Sequence, residues 1–213
     1  MRMRTILSAS GVAAVMAIGL GATTALATAT TTWTVKPGGS YTAKSGTTTL
    51  TDTVTGAVLT CTSSAAAGTL KSGSGLTNPL GTVTSNTYTG CTGPAGLTFS
   101  VKTSATSTTP FKVNATSFSS GVTTGNISGI HATLTGTNNT CKATVDGTTA
   151  TAHNGKVQIK HSNSTATTLK VTKSISLHAF NPTSGCLGAI NNGDAVNFVA
   201  TYTLNKAQTI TSP

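Results

Sequence analysis

The sequence predicts an all-β fold: an antiparallel sandwich or barrel of about a dozen short strands, with the option of two related halves. Composition is the first reason. Thr, Gly, Ser, Ala, Asn and Val dominate, and Glu is absent. Glu, Gln, Arg and Met furnish most exposed helix surface and are nearly missing. Thr and Val suit a half-buried pleated surface instead. The second reason is alternation of apolar and polar residues along most of the chain, which a disordered tract does not show. The third is the steady recurrence of Gly, Asn and Pro between those runs.

The elements can be taken in order. Residues 33–44, WTVKPGGSYTAK, read as a strand, a Pro-Gly-Gly turn and a second strand. In 47–62, Leu50, Asp52 and Val54 fall on one strand face and Thr49, Thr51, Thr53 and Thr55 on the other. Thr55-Gly56 marks a turn or bulge, and 73–75, Gly-Ser-Gly, reads as a loop. Residues 81–91 and 96–103 are strands, and 103–110, TSATSTTP, lacks periodicity and reads as a linker or crossover. Strands follow at 111–118, 126–136 and 141–147. Asn154-Gly155 is expected to join 148–153 to 156–161 as a type I′ hairpin, with His153 beside the turn and His161 opposite Thr148. The runs 168–172, 174–180 and 194–204 complete the set. One β domain over 28–213 is expected, the alternative being two β subdomains split near 103–125.

The N-terminus sets the compartment. Arg2 and Arg4 precede an apolar run from Ile6 to Leu20, and Ala25-Leu26-Ala27 is an A-x-A cleavage site. This pattern reads as a Sec-type signal peptide, 1–27, cleaved near Ala27, and implies a secreted, extracellular protein. Its removal leaves 186 residues with no Met and no Arg, and eleven Lys against three Asp, a formal charge of +8. The lysines run from Lys36 to Lys206 without a cluster in the sequence. Nucleic acid is not an expected partner, because Arg, the bidentate reader of phosphate and guanine, is missing. Anionic cell-wall polymer, a glycan or another protein remain as expected partners. No second apolar span asks for a membrane.

In an exported chain, Cys61, Cys91, Cys141 and Cys186 read as two disulfides. Sequence leaves three connectivities open. The local likeness of the segments at 60 and 140, and of those at 89 and 184, suggests Cys61–Cys91 and Cys141–Cys186. None of the four lies in a C-x-x-C pair or at finger spacing from a His, so metal binding is not expected.

Catalytic motifs are missing. The chain has no G-x-S-x-G elbow, Walker A loop, H-E-x-x-H or G-x-G-x-x-G. Three Asp and no Glu leave little for a carboxylate pair. Asp146 and Asp194 adjoin turn residues and read as turn formers. Asp52 is the odd one, mid-strand between apolar neighbours, and is kept as a ligand candidate. His131 and His178 are kept as well, although they fall in unrelated strands. Trp33, with Tyr41, Tyr88 and Tyr202, offers either core packing or a platform for sugars. The alternating threonines at 49–55 have the look of an ice-binding face but read as ordinary strand surface. No cofactor is expected.

The segments WTVKPGGSYTAKSGTTTLTDTVTGAVLTCTS, GCTGPAGLTFSVKT, TGNISGIHATLTG, CKATVDG and LGAINNGDAVNFVATYTL, closing on QTITSP, carry a resemblance. The chain resembles a family of uncharacterised secreted actinobacterial proteins of similar length with four cysteines. The resemblance implies an exported, two-disulfide β protein and brings no catalytic or ligand residue with it. The expected function is a non-catalytic structural or binding module, extracellular or at the cell wall. The alternatives are a small-ligand carrier with a cavity between sheets and a secreted hydrolase with a cryptic Ser/His/Asp or His-metal site.

Overall fold

Alternation of side chains turns almost the whole chain into antiparallel ladders. The computed structural model describes residues 31–212, so the predicted signal segment lies outside the described residues. Sixteen strands follow in chain order: Trp33–Lys36 (β1), Gly39–Ser45 (β2), Thr48–Asp52 (β3), Val58–Leu70 (β4), Gly73–Leu76 (β5), Gly81–Thr92 (β6), Thr98–Thr103 (β7), Phe111–Ser119 (β8), Val122–Ile130 (β9), Ala132–Gly136 (β10), Lys142–Asp146 (β11), Gly155–Ser162 (β12), Thr168–Ser176 (β13), His178–Phe180 (β14), Val196–Leu204 (β15) and Thr209–Thr211 (β16).

Thirteen of them form one closed sheet. The pairs β2/β3, β7/β8, β9/β10, β11/β12 and β13/β14 each act as one broken stave, and β4, β6 and β15 are unbroken. The eight staves pair antiparallel with their neighbours in sequence. The last stave, β15, pairs with β13 on one side and with β2 and β3 on the other, and a bridge at His178–Ala195 joins it to β14. The result is an up-and-down eight-stranded barrel rather than a sandwich, in which every stave has a neighbour on both sides. Strands on both sides of 103–125 share this sheet: β6 pairs with β7 and also with β8.

The interior follows the period of two. Tyr41, Ala43 and Ser45 point inward from β2, and Val196, Ala200, Tyr202 and Leu204 from β15. A small sheet of β16, β1 and β5 covers one end. Residues 73–75 are therefore part of a strand, because their backbone completes the ladder of β1. Thr123 Oγ1 and Asn163 Nδ2 donate to Ile210 O and tie the C-terminal strand down. The other end holds both disulfides, Cys61–Cys91 and Cys141–Cys186, which form one buried cluster with Phe99. Cys61 and Cys91 face each other across β4 and β6. Two covalent links at one end fit an oxidising compartment.

Two further expectations fail for physical reasons. The hairpin at Asn154-Gly155 does not form: 147–154 is a loop, and β12 pairs with β9 and β13. The run Thr148–Ala152 has no large apolar side chain to bury, so nothing holds it as a strand. Gly155 is needed for close packing instead. A Cβ there would sit 2.5 Å from Leu177 Cδ2 and 2.6 Å from Ile130 O. His161 is accordingly not opposite Thr148 but buried, its Nδ1 3.0 Å from Thr168 O and its Nε2 2.9 Å from Gln208 O. The strand expected through 55 also stops at Asp52, whose Oδ1 accepts from Val54 N and Thr55 N and turns the chain. Val54 leaves the barrel and is 67% exposed, so the four-threonine face is not continuous.

Replacing either disulfide by a serine pair is expected to cost about 3.5–4 kcal/mol on the chain-entropy account. Chemical denaturation of the two double variants measures this. Gly155→Ala is expected to cost about 1–3 kcal/mol by overpacking.

Candidate functional site

The barrel wall breaks at one level, and a fully buried carboxylate sits there. Asp146 ends β11 with no exposed surface. Its Oδ1 accepts from Gly147 N at 2.6 Å and Asn154 N at 3.0 Å, and its Oδ2 from His153 N at 2.9 Å. His131, between β9 and β10, approaches Oδ2 through Nδ1 at 2.9 Å. Burial alone would raise the Asp146 pKa, but the His131 hydrogen bond and the three backbone N–H groups outweigh it and hold the carboxyl below its ordinary range. The His131 ring stacks on His153, with centroids 4.2 Å apart. His178 Nδ1 lies 2.7 Å from Gly147 O on the same loop.

The reading of His131 and His178 as unrelated is thus corrected, since the barrel closes them onto one loop. Asp146 does form a turn, as expected of it, but from the interior. His153 was not among the candidates, because the expected hairpin placed it at an exposed turn. Asp146 directs its remaining capacity into backbone, which is the work of a latch: it closes 147–154 across the gap between β11 and β12. His131 is a partner of this latch. Among the described residues no three His, Cys, Asp or Glu side chains converge on a metal position.

The other candidates resolve into structure. Asp52 is 3% exposed and caps the 53–55 turn through Oδ1, while Oδ2 has no partner among the described residues. Trp33 is 2% exposed and belongs to the core at the covered end, so it is no platform for sugars. Tyr41 and Tyr202 are buried inside the barrel. Tyr202 Oη is 2.8 Å from Ser64 Oγ, Asn86 Nδ2 donates to the same Ser64, and Tyr41 donates to Thr82 O. Burial, with Tyr202 nearby, pushes the Tyr41 and Tyr88 hydroxyls above the usual tyrosine range. The spaces left along the barrel axis measure about 100, 50 and 30 Å³.

The exterior is where the charge lies. All eleven lysines are exposed. Asp52 and Asp146 are buried, and the half-buried Asp194 accepts from Asn191 N and Nδ2. Among the described residues, the only ion pair is His131–Asp146, so no lysine is neutralised by a carboxylate. Lys112, Lys156, Lys160, Lys170 and Lys173 share the outer face of β8, β12 and β13, gathered by strand order from a stretch that looks dispersed in the sequence. At one margin a shallow groove of about 560 Å³ runs between Lys112, Lys156, Ser128 and the latch residues His153 and Asn154. The sequence signal was the shared parity of Lys156 and Lys160 on one strand. The missing knowledge was which strands stand next to it.

Comparison with models of known protein families, with curated proteins and with solved structures finds no match to this chain.

Asp146→Ala leaves three loop N–H groups and His131 without their acceptor and is expected to cost roughly 3 kcal/mol or more. Because the folded carboxyl titrates below its unfolded value of about 3.9, its stabilisation is complete above that pH and is lost as pH falls through the lower folded value. Denaturation midpoints across acidic pH should therefore show a fall in the native protein that Asp146→Asn largely removes.

Proposed function

We propose that this chain is an exported, non-catalytic β-barrel that works outside the cell or at the cell wall as a binding module, holding anionic polymer by charge. One observation carries the reading: every lysine is exposed, while each aspartate carboxylate is tied to backbone N–H groups. An uncompensated positive exterior attracts polyanions and steers their approach. The Arg-flanked apolar N-terminus, the A-x-A site and the two disulfides support export. The resemblance to secreted actinobacterial proteins points the same way.

The geometry favours neither alternative. Ligand pockets measure about 300–1,000 Å³, and the axial spaces here are about 100 Å³ or less. A hydrolase would need a nucleophile activated by the Asp–His pair. Among the described residues no hydroxyl or thiol is hydrogen-bonded to His131 Nε2, and the Asp146 carboxylate is covered by the loop it closes.

The mature protein, mixed with washed bacterial cell walls, is expected to sediment with them at low salt. Release should follow as ionic strength passes roughly 0.15 M, where the Debye length falls to about 8 Å. Full recovery in the supernatant at low salt, or retention indifferent to salt, contradicts the proposal.

A further inference from the structure

The lysines of the outer face are arranged in rows. Lys112 pairs with Ser128 across β8 and β9, and Ser128 pairs with Lys156 across β9 and β12. Two lysines on that level are thus separated by one serine-bearing stave, about 9.5 Å at the usual strand spacing. Farther along, Lys160 pairs directly with Lys170 across β12 and β13. Their outer neighbours are Thr124 and Thr201, so nothing negative relieves the pair. Like charges directly opposite each other destabilise a sheet. Lys156 and Lys160, four residues apart on one strand, lie about 13 Å apart. Between the two levels, Asn114 donates to Asn126 and Ser128, and Thr172 donates to Gln158, next to Lys173. These bonds order the polar floor between the cations.

From these rows we infer that the outer face of β8, β9, β12 and β13 is a binding surface for a linear, base-free polyphosphodiester, a polyol chain with a phosphate at each repeat. The inference rests on the proposed charge-driven binding and adds its place and its chemistry. Lysine holds phosphate as a point charge, without the bidentate fork that arginine offers to phosphate and carboxylate alike, and the mature chain has no arginine. The Asn, Ser, Thr and Gln side chains between the lysines offer hydrogen bonds to phosphate and hydroxyl oxygens. Bases are not provided for. The rows carry no aromatic side chain, and single-stranded nucleic acid is held largely by stacking on aromatics. The large exposed apolar side chain here, Ile175, lies on β13 beyond Lys173.

The test compares three proteins by calorimetry against poly(glycerol phosphate): the native mature chain, a face variant and a control variant. The face variant carries Lys→Gln at 112, 156, 160, 170 and 173. The control carries Lys→Gln at 36, 44, 71, 102 and 206, the same loss of charge elsewhere. The native chain and the control are expected to bind within about threefold of each other, and the face variant at least tenfold more weakly. With roughly 0.7 counterions released per phosphate contact, as for a single strand, its salt slope should fall by up to about 3.5. If the fivefold face variant does not fold, Lys160→Gln with Lys170→Gln alone should weaken binding severalfold. Equal losses in both variants overturn the face while leaving charge-driven binding intact. No binding by the native chain overturns both. Equal or tighter binding to polygalacturonate, or to oligo(dT), overturns the base-free phosphodiester assignment.

Discussion

Carboxylate-to-backbone hydrogen bonding is the constraint on which the rest of this molecule depends. The chain carries three aspartates and no glutamate, and each side-chain carboxylate is committed to N–H groups at a reversal or gap of the chain. Asp52 ends the first stave, Asp146 spans the break in the sixth, and Asp194 shapes the loop that leads into β15. A barrel of staves needs its turns fixed before its ladders can close. The same three groups are the only acidic side chains available to balance the lysines. By serving the turns they leave the exposed lysines without carboxylate partners among the described residues, so the means of closing the fold also produces the surface proposed to bind polyanions.

The break at Asp146 shows how local geometry reaches the surface. Bonding of its carboxylate to His153 and Asn154 N–H sets the path of the 147–154 loop. That loop stands at the margin of the groove containing Lys112 and Lys156. His131, stacked on His153, braces it from the neighbouring stave. The disulfides sit at the opposite extreme of the load, fastening the end of the barrel that lacks the covering sheet. These links add to an interior of buried apolar side chains threaded by tyrosine and asparagine hydrogen bonds.

Much of the fold was legible because strand alternation is a local signal. Thr, Val and Tyr at every second position placed most of the strands, and the likeness of the two cysteine segments suggested the pairing that the structure contains. Turn chemistry misled in two places. Asn154-Gly155 has the sequence of a hairpin turn, yet Gly155 is there for its closeness to Leu177 and Ile130. Val54 continues the parity of Leu50 and Asp52, but the Asp52 side chain outcompetes the ladder. The meeting of His131, His153 and His178 around one loop could not be read from spacing, since barrel closure makes it. The lysine face was hidden for the same reason: Lys112 and Lys156 are far apart in sequence and come to one level, a single stave apart, only through strand order.

The claim that one wall of the barrel is the working surface is tested most directly by mapping backbone amide shifts in a heteronuclear NMR titration of the mature protein with poly(glycerol phosphate). Saturable shifts are expected to concentrate in β8, β9, β12 and β13 and in the 147–154 loop, with the disulfide end unmoved. Shifts scattered over all lysine-bearing segments alike, or centred on the disulfide end, would contradict it.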